Sequence, residues 1–490
     1  MRASRRRAGC TDALAAARHC PGIPLSSAPD SNRASPVVRP SACPGLVRIV
    51  AAADGGLCRI KLPGGRLDAQ QARAIAAAAR AYGSGALDAT NRANLQLRGI
   101  RAGAADALTR TLLDAGLGPR ADASGAAGDR AALAASDDVR NVMLSPLAGH
   151  DPAARVDSRT LAHALLDMLA REPRRGELSP KFSIQLDGGE SVAALDHPHD
   201  IWLAAWRRDD GAIRVAAGLA GCIPVAHDDR PAVVDVSPQQ TVALVRALLL
   251  AFVDLAPADV ARMRDLLAIR DARTLLEHAR RYVPFRLDAD PSLAGWRRRP
   301  SDPALRFGVR PSADAGRCSV GAQFALGRLD ATQLERLAAV AEAHGDGTLS
   351  ITPWQGVFVH GVPHASAPAV LDALALLGLV CSPTDPLASL VACAGSAGCA
   401  KARADTKRDA LALAAHVGRP VDAHLTGCER HCALPRVAAH TLVAVAPARY
   451  DLYRRTTDAG LGAPVARHLT IDQAAARLTD ARPSEDTTDA

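Results

Sequence analysis

Aromatic residues are scarce in this chain, at four Trp, four Tyr and six Phe among 490 residues. That stock is too small for the stacked rings with which proteins hold single-stranded bases. Excess positive charge is scarce where it would matter. The formal charge is +8, but residues 1–45 hold seven Arg against two Asp, which is five of those charges and leaves the body at +3. A basic nucleic-acid face is not indicated. Long apolar runs are missing as well. Val242–Leu255 and Val370–Cys381 are too short to span a bilayer, and Arg246 and Asp254 interrupt the first. Arg2, Arg5, Arg6 and Arg7 are followed by no apolar signal-peptide core. Residues 1–45 therefore read as a disordered Arg/Pro/Ser-rich leader, and the protein as cytoplasmic, with neither membrane nor nucleic-acid partner. No glycine-rich dinucleotide fingerprint opens a helix, since Gly83-Ser84-Gly85 follows one.

What is present is concentrated near the C-terminus. Cys393 and Cys399 are separated by five residues, Cys428 and Cys432 by three. Two short cysteine loops brought together by a fold can offer four thiolates to a cubane iron–sulfur cluster. Zinc sites more often use gaps of two to four residues, so the first gap favours iron–sulfur over zinc without excluding it. Glycines in and beside the loops let backbone amides approach the sulfurs. A helix predicted over Ala400–Val417 would set the first pair at its N-terminus, where the partial positive charge favours thiolates. Cys58, Cys222, Cys318 and Cys381 read as core residues, and Cys10, Cys20 and Cys43 are given no role.

An internal repeat organises the chain. Gly65–Gly99 aligns without a gap on Gly327–Gly361 at an offset of 262 residues, with 15 of 35 positions identical. Asp68 with Gln71, and Asp330 with Gln333, form capping-box-like helix starts, and Gly83 and Gly345 stop both helices. Strands are predicted at Leu57–Leu62, Leu95–Arg98, Arg317–Phe324 and Val357–His360. Between the copies, helices are predicted at Ser158–Glu172, Pro238–Asp254 and Pro257–Tyr282, and strands at Lys181–Leu186 and Ile213–Ala217. The resulting domain organisation is a leader at 1–45, half-domains at 46–122 and 304–380, α/β lobes at 125–290 and 383–478, and a polar tail at 479–490. Asp290–Pro303 serves as the linker between the halves. In the first copy Arg92, Asn94, Gln96 and Arg98 alternate along the strand and so share a face. Two guanidiniums and two amides suit a carboxylate-rich ligand, although a solvated strand face would look the same. The second copy places Trp354, Gly356, Phe358 and His360 there.

With these motifs the chain resembles the nitrite and sulfite reductase family over about Cys43–Leu478. The family cluster pattern, C-x5-C followed by G-C-x3-C, is met by Cys393, Cys399, Gly427-Cys428 and Cys432. The T-x-R-x-x-x-Q motif is met by Thr90, Arg92 and Gln96, and the D-x-x-R-N-V segment by Asp137, Arg140, Asn141 and Val142. The L-x-x-K-F-K segment is met by Leu178, Lys181 and Phe182, but its second lysine is Ser183. Arg430 stands where reductases commonly have Asn. CPGLVRI (Cys43–Ile49), GGLCRIKLPGG (Gly55–Gly65) and HPHDIW (His197–Trp202) look like the precorrin-3B synthase branch of the family.

The resemblance implies an α+β fold with two ferredoxin-like half-domains, each followed by an α/β lobe, about a pseudo-twofold axis. It implies a 4Fe–4S cluster on the four cysteines and a tetrapyrrole pocket beside it. Arg92, Arg140 and Lys181 are the implied catalytic residues, and Arg92, Asn94, Gln96, Arg98, Arg140, Asn141 and Lys181 the implied substrate ligands. The substrate implied is precorrin-3A. It would be hydroxylated at C20 by O2 with γ-lactone closure, using electrons from an external NAD(P)H-dependent donor. Loss of the second lysine points away from six-electron anion reduction, which consumes protons. A sirohaem-dependent sulfite or nitrite reductase is the alternative. A mononuclear non-haem iron could join the cluster. His197 and His199, flanked by Asp196 and Asp200, are its obvious spaced ligands, set against a reading as two surface-loop histidines. His360, His424 and His431 have no assigned role.

Overall fold

The computed structural model describes residues 43–119, 130–434, 436–455 and 460–480. The leader falls almost wholly outside this range, as does the end of the tail. Four five-stranded sheets carry the architecture. The first half-domain sheet runs Val50–Ala52, Gly55–Ile60, Leu95–Ile100, Ala86–Ala89 and then Arg328–Asp330. The second runs Gly308–Pro311, Arg317–Gln323, Gly356–Pro363, Thr348–Ile351 and then Arg66–Asp68. Each half thus gives its short strand to the other half's sheet, with Leu329 opposite Leu87 and Leu67 opposite Leu349. The contiguous half-domains read from the sequence are therefore interlocked. One buried core runs through both, including Leu67, Ile75, Leu87, Leu329, Leu337 and Leu349.

The repeat helices are Ala69–Tyr82 and Ala331–His344, and both start on the expected capping boxes. Arg73 pairs with Glu342, and Arg80 with Glu335, between these two helices. Gly83 and Gly345 end them in extended conformation, so a left-handed cap is not the reason for glycine. Close approach is the reason: a Cβ would lie 2.8 Å from the Arg98 carbonyl oxygen at Gly83, and 2.3 Å from that of His360 at Gly345.

The turns before the paired strands share one backbone design. Thr90 N donates to Asn94 O at 2.9 Å, as Thr352 N does to Gly356 O at 2.9 Å. The threonine hydroxyls accept from Asn94 N and Gly356 N. Ala93 and Gln355 both sit at positive φ, 56° and 62°. Gly65 closes against the second copy of this turn. Its φ is +71°, and a Cβ there would lie 1.9 Å from the Ile351 carbonyl oxygen. Its repeat mate Gly327, also at +71°, would meet only the Gln355 side chain, at 2.7 Å. Gly65→Ala should therefore cost about 3 kcal/mol or more, and Gly327→Ala about 1–2 kcal/mol, because a side chain can move and a sheet backbone cannot. Equal denaturation midpoints for the two variants would contradict this ordering.

The two lobes share a topology. In the first, Val142–Met143, Ile184–Asp187 and His199–Arg207 are parallel, and Ile213–Gly221 and Val234–Val236 complete the sheet antiparallel. In the second, Leu390–Ala392, Ala423–Thr426 and His440–Ala446 are parallel, followed by antiparallel Arg449–Arg454 and Ala466–Leu469. Helix Thr241–Leu255 is apolar around most of its circumference because it fills the core of the first lobe. With the 3₁₀ turn before it, Pro238–Leu255 reaches 18 residues and is long and apolar enough to cross a membrane, contrary to the sequence estimate, but half of it is buried in the protein. The helix expected over Pro257–Tyr282 is broken into Met263–Leu266, Ala272–Ala279 and a 3₁₀ turn. The break places Met263 N and the Arg262 guanidinium on the carboxylate of Asp200.

Candidate active site and cluster centre

Cys393 follows strand Leu390–Ala392 and Cys428 follows Ala423–Thr426, so both loops leave the carboxyl ends of neighbouring parallel strands. Open α/β sheets commonly bind ligands at that edge. Cys393 N still bonds Leu425 O at 3.2 Å, which holds the first loop to the second strand. The Cys393 sulfur accepts from Gly427 N at 3.2 Å and Gly395 N at 3.4 Å. These are the sulfur-directed amides that the glycines were expected to allow. The helix expected from Ala400 starts only at Thr406. Its first residue nevertheless reaches Cys393, with the hydroxyl 3.4 Å from the sulfur, so the N-terminus serves Cys393 and not Cys399. The Cys432 thiol is pushed up by burial first and then by Cys428, Cys393 and Cys399, which places all four sulfurs in one electrostatic neighbourhood. Among the described residues no three His, Cys, Asp or Glu side chains converge tightly enough for a single metal ion. A tetrahedral zinc with bonds of about 2.3 Å needs its sulfurs within about 4 Å of one another. A four-iron cluster takes a wider thiolate frame, and four cysteines with amides aimed at sulfur fit that group.

The strand Leu95–Ile100 and the turn before it join this centre to the first lobe. Asn91 Nδ2 donates to Cys432 O at 3.4 Å, and Arg98 Nη2 donates to Gly398 O at 2.6 Å. Between these tethers, Arg92, Asn94, Arg140, Asn141 and His199 line a narrow recess of about 10 Å³. Four of the seven predicted pocket residues are thus brought together. Their side chains are not equally available. Asn94 Oδ1 accepts from Leu62 N, and Asn141 Nδ2 donates to the carbonyls of Asp138, Pro180 and Phe182. Arg140 is held by Leu117 O and Asp137. The Arg92 guanidinium makes no hydrogen bond or ion pair among the described residues. Its pKa is lowered to about 10 by burial first and then by Arg262.

Three predicted ligands lie elsewhere. Arg98 is bound to Asp54, Asp88 and Gly398 O, so it braces the first cysteine loop and is not free for substrate. Gln96, with its amide turned so that oxygen faces Arg59, accepts from that guanidinium at 2.8 and 3.1 Å. Lys181 is exposed, while Ser183 is buried, its backbone N bonded to Asp200 at 2.9 Å. Nor are His197 and His199 surface residues: both are buried at 4% exposure. They do not assemble an iron site with Asp196 and Asp200. Asp196 accepts from His197 and pairs with Arg436, and Asp200 faces Arg262 and Ser183. Both ring nitrogens of His199 are buried without a partner, and burial first, then Arg92, holds its pKa well below the usual range. It is a neutral imidazole facing the recess. His360, enclosed between Ser319 and Ser350 and stacked on His150, is structural. Burial depresses His424 to about 3.

The sequence reading missed Arg59 and Lys61. Lys61 is buried on Asp137 and Asp138 and so anchors the segment that carries Arg140. Cations interrupting the apolar strand Gly55–Ile60 and its continuation were the available signal. Beside the recess, past Asn91 and His197, a cleft of about 710 Å³ opens between linker and second lobe, reaching Leu434 just beyond Cys432.

The fold and site define an iron–sulfur oxidoreductase architecture, and the chain belongs to the nitrite/sulfite reductase family. Residues 51–115 and 310–377 match the nitrite/sulfite reductase ferredoxin-like half domain. Residues 135–287 match the nitrite and sulphite reductase 4Fe-4S domain. The latter match is the first lobe, and the four cysteines lie outside it. The chain is 28% identical to a precorrin-3B synthase of Sinorhizobium sp. over 448 residues, 90% of this chain and 88% of that one. It is 29% identical to a ferredoxin–nitrite reductase of Synechococcus elongatus over 413 residues, 78% of this chain and 75% of that one. The solved structure of the Mycobacterium tuberculosis NirA protein shares the fold, with a TM-score of 0.69 at 19% identity, covering 86% of this chain and 79% of that one.

Proposed function

We propose that the chain is a monooxygenase of the precorrin-3B synthase type, acting on precorrin-3A. It hydroxylates C20 and closes the ring A acetate into a γ-lactone. One atom of O2 enters the product and the other leaves as water, with two electrons and two protons that originate in an external NAD(P)H-dependent donor. The observation carrying this reading is the state of residues 181–183. Lys181 points to solvent, and the position of the second family lysine is a buried Ser183 turned to Asp200. The recess is left with guanidiniums and a neutral imidazole. Guanidinium is a poor proton donor even when its pKa falls to about 10, and multi-proton reduction of a small anion is ill served by it. Binding and orienting a polycarboxylate is what such cations do well.

Each residue then has a task. Arg92 pairs with a substrate carboxylate that replaces the partner it lacks in the protein. Arg140, fixed by Asp137, presents a second cation at a set distance. His199 hydrogen-bonds the macrocycle without adding charge. The 4Fe–4S group held by Cys393, Cys399, Cys428 and Cys432 supplies one-electron transfer to the pocket when bound.

The deciding experiment is anaerobic preparation, an iron, sulfide and visible-spectrum assay, then reaction with precorrin-3A under 18O2. The expected result is a broad brown absorbance without haem bands and a lactone carrying one 18O. Sirohaem bands with nitrite consumption would establish the reductase reading instead, which the likeness to ferredoxin–nitrite reductase favours. Arg92→Ala should leave iron and sulfide unchanged and weaken tetrapyrrole binding about 10- to 100-fold, the loss of a charge-assisted pair. Unaltered binding would remove Arg92 from the pocket.

A further inference from the structure

Arg92 and Trp354 are repeat mates, 262 residues apart on the same turn. The second turn carries no cation of its own, yet a guanidinium stands over it. Arg306, from the 3₁₀ turn Pro303–Arg306, places its Cζ 4.1 Å from the centre of the Trp354 ring. Both residues line the wide cleft beside the cluster loops. Arg306 forms no hydrogen bond or ion pair among the described residues. The carboxylates near it are already engaged: Asp196 holds His197 and Arg436, and Asp422 holds Arg436 and Ala439 N. Burial lowers the Arg306 pKa to about 10. Two further polar atoms in this wall are buried and partnerless, His197 Nε2 and Trp354 Nε1. A half-buried guanidinium whose neighbouring carboxylates bond elsewhere, beside two orphaned hydrogen-bonding groups, is costly unless a ligand completes it.

We infer that Arg306, set over the Trp354 ring, is the anchor for a carboxylate arm of the macrocycle in the wide cleft beside the cluster loops. The inference rests on the tetrapyrrole reading above and extends it by assigning a second anion subsite at the start of the second half-domain. The stacked indole fixes the guanidinium plane, so two parallel N–H groups face the carboxylate. Arg92 and Arg306 then hold two arms of one ligand and set which edge faces the cluster.

The test uses the full chain with its cluster, kept anaerobic and titrated with uroporphyrin III, an iron-free octacarboxylate, by visible absorbance. Arg306→Gln should raise Kd about tenfold or more at unchanged iron and sulfide content. Arg306→Lys, which keeps the charge but not the fork, should fall between. Trp354→Phe should stay near the parent and Trp354→Leu should not. Equal Kd for the parent, Arg306→Gln and Arg306→Lys, with Arg92→Ala still weakened, overturns the Arg306 subsite alone. No uroporphyrin binding by the parent overturns the tetrapyrrole reading and this subsite with it.

Discussion

Cys428→Ser and Cys432→Ser should each yield a protein with iron and sulfide near zero and a destabilised C-terminal lobe. The four cysteines sit on two loops whose backbone is already committed: Cys393 N to Leu425 O, Gly427 N to the Cys393 sulfur, Thr426 Oγ1 to Cys428 O. Hydroxyl is a poor substitute for thiolate at iron, and the remaining links between the loops, Arg403 N to Gly427 O and the half-exposed Arg403–Glu429 pair, do not replace a shared cluster. Because ligand binding is linked to folding, losing the cluster removes part of the free energy that holds strands Leu390–Ala392 and Ala423–Thr426 together. The measurement is metal and sulfide content alongside proteolysis of residues 383–480. A serine variant that retained full iron and sulfide would sink the four-cysteine assignment.

The second large effect concerns Arg98, which was expected among the substrate ligands. Arg98→Met should destabilise the protein by about 2–4 kcal/mol and make the cluster bleach faster in air. Asp88 would keep Arg328 and Lys407, so the loss falls on Asp54 and on the Gly398 carbonyl, which among the described residues only Arg98 reaches. Gly398 is glycine for this contact, since a Cβ there would lie 2.3 Å from Arg98 Nη2. Tetrapyrrole affinity measured on the cluster-intact fraction should be unchanged. A variant with normal cluster lifetime and weakened ligand binding would return Arg98 to the pocket.

Arg98 also marks where the sequence stopped being legible. Alternation placed Arg92, Asn94, Gln96 and Arg98 along one strand, but the strand starts at Leu95 and leaves Arg92 and Asn94 in the turn before it, whereas capping boxes, repeat offset and cysteine spacing gave the architecture. These signals are local or periodic. Which member of a polar face meets ligand depends on what the rest of the chain brings to it. Asp54 and Gly398 claim Arg98, Arg59 claims Gln96, and Leu62 N claims Asn94. None of those partners lies at a helical or strand spacing from its mate. Lys181 failed for the same reason: a motif match fixes identity, while exposure follows from packing. Burial of His197 and His199 was missed because HPHDIW carries as many polar as apolar residues, and it is buried because it leads into the central strand of the first lobe's sheet. The helix that fell apart over Pro257–Tyr282 was apolar enough to continue, but Asp200 draws Arg262 and Met263 N out of line.

The exchanged strands Arg66–Asp68 and Arg328–Asp330 bear on how such a chain comes to hold a lopsided site. A half-length polypeptide of this design would close its sheet only by receiving a strand from a twin, so its simplest form is a mutually embraced pair. In that pair every codon is read twice, and any gain at one pocket is imposed on the other. Joining the twins end to end lifts that constraint. One turn could carry an arginine where the other carries a tryptophan, and the stretch leading into the second half could lay its own guanidinium across the indole.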